Sequence, residues 1–365
     1  MHIDEVEFSD FRNYSRLHLT PSPGLNVLTG PNAQGKTNFL EGLGVLLVGR
    51  SFRGAKPTEM ARWGSRCAAV NGQVARRGLS VPVRRVLASR EDLAWTVSGK
   101  GCAWARAVPF VWADLGIVTG GPQGRRNFID GFVAKLYPPY AATYRRYRQI
   151  LARRNWLLQR GGGGHAVPPP ARLDPWNEQL VEVGLEILAH RRRAVALLVG
   201  EVSRLYPMLG GRGEAQVAYC SALDERTSSE QFHELIRARW ADECRRGRSL
   251  VGPHRDDLRV TVDGHELKAF GSRGQQRLLA LTLRLAEVGP VAEAVGSPPV
   301  LLLDDALSEL DQDVQGRVMS YLGTAGQVML TTAERTLPEV DTAIWWDVSQ
   351  GQIRGAGVTS LKGVA

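Results

Sequence analysis

Residues 30–37 read Gly-Pro-Asn-Ala-Gln-Gly-Lys-Thr, and no other eight residues restrict the fold of this chain as much. The pattern GxxxxGK[ST] is a phosphate loop only where it follows a strand and opens a helix. Here it follows Leu-Asn-Val-Leu-Thr and precedes Phe39, Leu40, Leu43, Leu46 and Leu47, spaced to share one helical face. Gly30 and Gly35 allow the loop from Pro31 to Gly35 to curl around a phosphate with the backbone N–H groups of Asn32, Ala33, Gln34 and Gly35. The helix start adds partial positive charge. Lys36 is placed for the β- and γ-phosphates of ATP, and Thr37 for Mg²⁺. A strand, a phosphate loop and a helix in that order predict an α/β fold.

A second element fits the same chemistry. Val300-Leu-Leu-Leu-Asp304-Asp305 is an apolar run ending in paired carboxylates. Such a run reads as a buried parallel strand, whose C-terminal end is where ligands sit in an open α/β sheet. Asp304 would hold Mg²⁺, directly or through water. Asp305 would orient or deprotonate the attacking water. Lys36 and Asp305 are thus the catalytic candidates, Thr37 and Asp304 the metal ligands. Upstream, Ser272-Arg273-Gly274-Gln275 opens a strongly apolar helix, with Ser272 as a good N-cap. That helix start is also a second phosphate-facing terminus. On the far side of the body it would serve the nucleotide of a partner subunit.

The texture of the chain divides in three. Residues 1–120 are mostly short strands around the phosphate loop. Residues 121–250 carry long helices, one over about 139–159 and another after Asp174-Pro175, broken by GGGGHAVPPP at 161–170. They predict an antiparallel hairpin with a flexible tip, an arm, followed by a strand (EAQVAYCSAL) and one helix (SSEQFHELIRARWADECRRG). Residues 251–365 return to α/β texture with strand RVTV, helix QQRLLALTLRLAEVG, the carboxylate strand and strand QVMLTT. The body is expected to be built from both chain ends, with the helical arm inserted.

Composition excludes several classes. Hydrophobic content of 43% and charged content of 23% are those of a globular protein. No apolar run of about 18 residues exists, so no membrane span or membrane partner is expected. MHIDEVEFSDFRNYS lacks the basic-then-apolar order of a signal peptide. Cys67, Cys102, Cys220 and Cys244 form no CxxC and read as free thiols in a reducing cytoplasm.

The formal net charge is +9, and its placement matters more than its size. The window 125–160 holds nine basic residues (Arg125, Arg126, Lys135, Arg145, Arg146, Arg148, Arg153, Arg154 and Arg160) against the single acid Asp130. Clustered arginine without compensating acid is the footprint of phosphate-backbone binding, so nucleic acid is the expected partner. Arg125, Arg126, Arg145, Arg146, Arg148, Arg153 and Arg154 are the candidate contacts. Tyr140, Tyr144 and Tyr147 share a helical face; packing between arm helices is favoured over stacking on bases.

The order of phosphate loop, SRGQ helix, VLLLDD strand and SELD (308–311) resembles the ABC-type ATPase heads of the SMC class. The nearer resemblance is to the RecF family. It rests on FRNY (11–14), GPNAQGKTNFLEGL (30–43), SFR (51–53), GGPQGRRNFID (120–130), VGPHRDDL (251–258), SRGQQRLLALTLRLAE (272–287) and LLLDDALSELD (301–311). The resemblance implies an ABC-type head with a short helical arm, an ATP-dependent homodimer and weak, DNA-stimulated ATP hydrolysis acting as a release switch. It implies work at single-strand gaps with RecR and RecO in loading RecA. It places Arg12, Asn13 and Arg53 near the nucleotide, Ser272–Gln275 on the partner's γ-phosphate and Asp311 at the dimer interface. The alternative, an SMC-type chromosome-organising head, needs far longer heptad-bearing arms. Val111-Trp112-Ala113-Asp114 departs from the family's Ser-Pro-Glu-Asp, which leaves the role of that loop open.

Overall fold

The structure, a computed structural model, describes residues 1–88, 95–162, 172–334, 337–338 and 342–356. The chain divides into two compact units. The first comprises Met1–Leu115, Arg204–Gly213 and Gly271–Ala365; the second comprises Gly116–Ser203 and Glu214–Phe270. The first unit is thus built from both chain ends.

In chain order the first unit begins with strands β1 (His2–Phe11), β2 (Tyr14–Leu19), β3 (Leu25–Thr29), β4 (Cys67–Arg76), β5 (Leu79–Ala88), β6 (Thr96–Ser98) and β7 (Ala107–Phe110). The second unit contributes β8 (Ala215–Cys220) and β9 (Asp257–Val262). The first unit resumes with β10 (Val300–Asp304), β11 (Val328–Thr331), β12 (Ile344–Ser349) and β13 (Gln352–Ala356).

Two sheets form the first unit. The order β2-β1-β4-β5-β6 is antiparallel throughout. The other runs β13-β12-β3-β11-β10-β7 and is parallel apart from β12–β13. β10 lies between β7 and β11 with Val300–Leu303 all buried, as its unbroken apolar run requires. The phosphate-loop helix, Lys36–Val48, packs against strands of both sheets. Its Phe39, Leu40, Leu43 and Leu46 are fully buried in a core shared with Phe8 and Val70 of one sheet and Leu302 and Met329 of the other. Gly42 permits that approach: a Cβ there would stand 2.2 Å from the Phe8 ring.

The second unit is mostly helical: Pro122–Leu136, Tyr140–Gly162, the long Asp174–Met208 as far as Ser203, Ser229–Ala238 and Trp240–Arg246. Polar pairs fix the direction of the two longest helices. Thr143 donates to Glu186 at 3.0 Å, Arg146 to Glu182 at 3.4 Å and Arg154 to Asn177 at 2.8 Å. As one partner advances the other retreats, so the pair is antiparallel. Residues 163–170 of the expected tip lie outside the described residues.

Two expectations differ from the structure. Strand RVTV does not return to the first unit. It forms β9, pairs antiparallel with β8, and keeps the second unit intact to Phe270. The helix expected over 228–247 is two helices, because Arg239 sits at φ −96° and ψ 3°, outside helical geometry.

Candidate functional site

The phosphate loop turns sharply between β3 and its helix. Gly30 at φ +144° holds its backbone so close to β12 that a Cβ would stand 2.2 Å from the Val348 carbonyl oxygen. Ala33 adopts φ +64°, a left-handed conformation that glycine takes more readily. Asn13 braces the loop: its side-chain amide donates to the Gln34 carbonyl at 3.1 Å and accepts from Asn38 at 2.9 Å. The Lys36 ammonium donates to the carbonyls of Gly30 and, at 2.8 Å, Pro31. Burial lowers its pKa, while the nearby charges of Asp305 and Asp304 oppose the shift.

Beside the loop lies a cavity of about 270 Å³, lined by Asn32, Ala33, Gly35, Lys36, Thr37, Asn38, Arg53, Asp304, Asp305, Thr331 and Ala333. The Thr37 hydroxyl lies 2.9 Å from both oxygens of Asp304, and the Thr331 hydroxyl donates to Asp304 at 2.8 Å. The parallel register sets Asp304 opposite Thr331, which makes that contact possible. Hydroxyl and carboxylate oxygens together are the donor set a hard divalent cation takes, so Thr37 and Asp304 fit Mg²⁺.

Asp305 follows at φ +50°, a left-handed turn. Its N–H donates to the Thr331 hydroxyl at 3.0 Å. Arg277, on the helix Arg273–Leu285, is 1% exposed and supports this turn. Its guanidinium donates to the Asp305 carbonyl and, at 3.3 Å, to that of Ala306. The carboxylates of Asp305 and Glu309 stand 3.9 Å from it, and it lies 5.4 Å from the centre of the Trp112 ring. One guanidinium nitrogen, Nη1, is buried without a hydrogen-bond partner. Sequence reasoning missed Arg277 and Thr331, because both act through strand register and helix placement that no local pattern encodes.

The other candidates divide. Arg53 lines the cavity. Arg12 does not: its guanidinium grips the buried Glu41 at 2.7 and 3.0 Å. The start of the Arg273–Leu285 helix also stands outside the cavity. Ser272 and Gln275 cap each other reciprocally at 3.2 and 2.9 Å, and Ser272, Arg273 and Gln275 are exposed. Asp311 caps the helix Gln312–Leu322 through the Val314 N–H at 2.9 Å. Asp114 is tied to Arg284 at 2.6 Å rather than facing the cavity.

Among the DNA-contact candidates, Arg154 is a correction. It is completely buried, held by Glu243 at 2.6 Å, Ser249 at 2.7 Å and Asn177 at 2.8 Å, and no phosphate reaches it. Arg125 clasps Asp257 through two hydrogen bonds of 2.7 Å, which neutralises it. Arg145, Arg146, Arg148 and Arg153 remain exposed. Tyr140 and Tyr147 are buried and donate to Asp130 and pair with His254, the packing role expected of them.

Residues 5–75 match the family model described as an AAA domain. The chain is 33% identical over 97% of both chains to the DNA replication and repair protein RecF of Myxococcus xanthus, and 35% identical over 97% of both chains to that of Synechococcus sp. (strain JA-3-3Ab). Among solved structures it resembles the recombination mediator protein RecF with ATP in the RecFOR pathway, with a TM-score of 0.84 and 25% identity over 98% of both chains. An Smc head bound to the C-terminal winged-helix domain of ScpA shares the fold, at TM-score 0.56 and 15% identity over 98% of both chains.

Proposed function

The chain belongs to the RecF family, and on that footing we propose that it is an ATP-binding DNA replication and repair protein that closes as a homodimer on nucleotide and holds DNA while closed. The loop N–H groups and Lys36 bind the phosphates. Thr37 and Asp304 would hold Mg²⁺, which would supply charge neutralisation of the phosphates. Asp305 orients the attacking water, with Arg277 and Thr331 fixing the turn that presents it.

One observation carries the dimer. The capped helix start at Ser272 has the N–H groups for a γ-phosphate but stands outside the cavity of its own chain. It completes a site only across two copies, with Asp311 at the contact between them. Hydrolysis then opens the clamp. An aspartate as the water-orienting group, with Thr331 and Thr332 where transporter ATPases carry a histidine, suits a slow switch. Family membership supports action with RecR and RecO in the cytoplasm to load RecA at single-strand gaps. Smc heads share only the fold.

The test is Ser272→Arg. The variant should bind ATP normally by calorimetry but fail to dimerise in sedimentation. Mixed with Lys36→Met it should regain part of the ATPase, since one composite site is then intact. A Ser272→Arg chain that dimerises normally on ATP would exclude the composite site.

A further inference from the structure

Basic residues of the second unit also cluster away from the helix Tyr140–Gly162. That cluster forms where the segment after helix Trp240–Arg246 folds back near the start of helix Pro122–Leu136. The Arg255 guanidinium donates twice to the Ser249 carbonyl, at 3.1 and 2.9 Å, which brings it beside the neighbouring Arg248. Arg126 donates to the Asp256 carbonyl at 2.7 Å, which brings it beside Arg255 from the other side. Arg246, Arg248 and Arg255 are exposed and Arg126 half-buried. Partial burial, and then the charges of Arg248, Arg126 and Arg246, lower the pKa of Arg255, as mutual repulsion among cations requires.

The acids nearby are already taken. Glu243 is fully buried against Arg154 and also accepts the Leu250 N–H at 2.7 Å. Asp256 is 3% exposed and accepts the Tyr219 hydroxyl. Asp257 is clasped by Arg125. Among the described residues no carboxylate forms an ion pair with Arg126, Arg246, Arg248 or Arg255. The fold thus commits Glu243, Asp256 and Asp257 to other partners and leaves Arg246, Arg248 and Arg255 exposed, with Arg126 half-buried beside them. Their forks suit phosphate oxygens.

We propose that Arg126, Arg246, Arg248 and Arg255 form a phosphate-binding site for a nucleic-acid backbone, and that this cluster, not the long helix alone, anchors DNA on the second unit. The inference rests on the proposed DNA-holding function. Backbone hydrogen bonds from Arg126 and Arg255 hold two of the groups in place, so little side-chain entropy remains to be lost on binding.

The experiment is fluorescence anisotropy of a labelled oligonucleotide duplex with the full chain and ATP, across a salt series. Each phosphate contact adds about 0.9 to the slope of log K against log salt. Arg248→Ala, whose parent side chain makes no hydrogen bond among the described residues, should lower the slope by about 1 and weaken binding several-fold on any sequence. Arg248→Ala with Arg246→Ala should lower it by about 2, with ATP affinity and unfolding midpoint as in the parent. Lysine at both positions should keep most of the slope, since the charge remains. A parent that binds DNA while the double alanine variant keeps full slope and affinity overturns the cluster alone; the patch then suits an acidic protein surface instead. A parent that binds ATP but no DNA at any salt overturns the proposed function and the cluster together.

Discussion

The two units hold their buried arginines in opposite ways. In the second unit, Arg191 meets Asp130 at 2.8 and 2.9 Å and the Pro253 carbonyl at 2.7 Å, and Arg154 meets Glu243, Ser249 and Asn177 at 2.6–2.8 Å. Each charge is compensated in full. In the first unit, the equally buried Arg277 has its carboxylates at 3.9 Å and one nitrogen without a partner. The backbone differs likewise. Around the first unit's cavity Ala33, Asp305 and Glu309 take positive φ, at 64°, 50° and 64°. Among the described residues of the second unit only Asp263, at φ 50°, does so without being glycine. A frame is made by satisfying buried charge completely. A site that must change its contacts with nucleotide keeps some interactions unmade and some backbone strained.

The contrast is sharpest in the buried charges. Arg191→Met should cost about 3–5 kcal/mol, because Asp130 is then left charged and uncompensated in the interior. Arg277→Met should cost less, about 1–3 kcal/mol, yet slow ATP turnover by loosening the Asp305 turn. Denaturant unfolding and a phosphate-release assay read the two effects. Equal losses of stability would break the comparison.

A second difference lies in acid sensitivity. His254, in the second unit, donates from Nε2 to the Ser249 carbonyl at 3.1 Å and accepts the Tyr147 hydroxyl at Nδ1 at 2.7 Å, and burial, with the charges of Arg255, Arg154 and Arg126 adding to it, pushes its pKa from 6.5 down to about 4. Between those values the unfolded chain binds the proton and the folded chain does not. Stability due to this group is therefore complete above pH 6.5, falls as pH drops, and is lower by about 3 kcal/mol below pH 4. Urea melts across that window should show the fall, and His254→Asn should flatten it.

The smallest effect belongs to the loop. Ala33→Gly should stabilise the first unit by at most about 1 kcal/mol, since glycine relieves a left-handed alanine but gains entropy when unfolded. A midpoint shift downward in thermal melting would mean that Ala33 is not strained.

Much of the site was legible in advance because its chemistry is local. Gly30, Gly35, Lys36 and Thr37 are fixed by one turn between a strand and a helix, and Asp304 and Asp305 by the end of one apolar strand. Where a role depends on a distant partner, the residue type misleads. Arg154 and Arg125 belong to the same basic run as Arg148, yet Glu243 and Asp257 claim them from about a hundred residues away in sequence. Tyr140 and Tyr147, expected to pack inward, do so, with Asp130 and His254 as their polar partners.

The sequence by itself determined that a phosphate-loop motif lies between a strand and a helix, that an apolar strand ends in two carboxylates, and that helices fill the middle. Periodicity and short motifs carry that information within a few turns of chain. The tertiary structure alone decided that Thr331 and Arg277 support the carboxylates, that RVTV pairs with β8, and which arginines still face solvent. Those outcomes depend on strand register and on which acid reaches which cation first. Both are set when segments far apart in the sequence pack together, because an ion pair forms between neighbours in space.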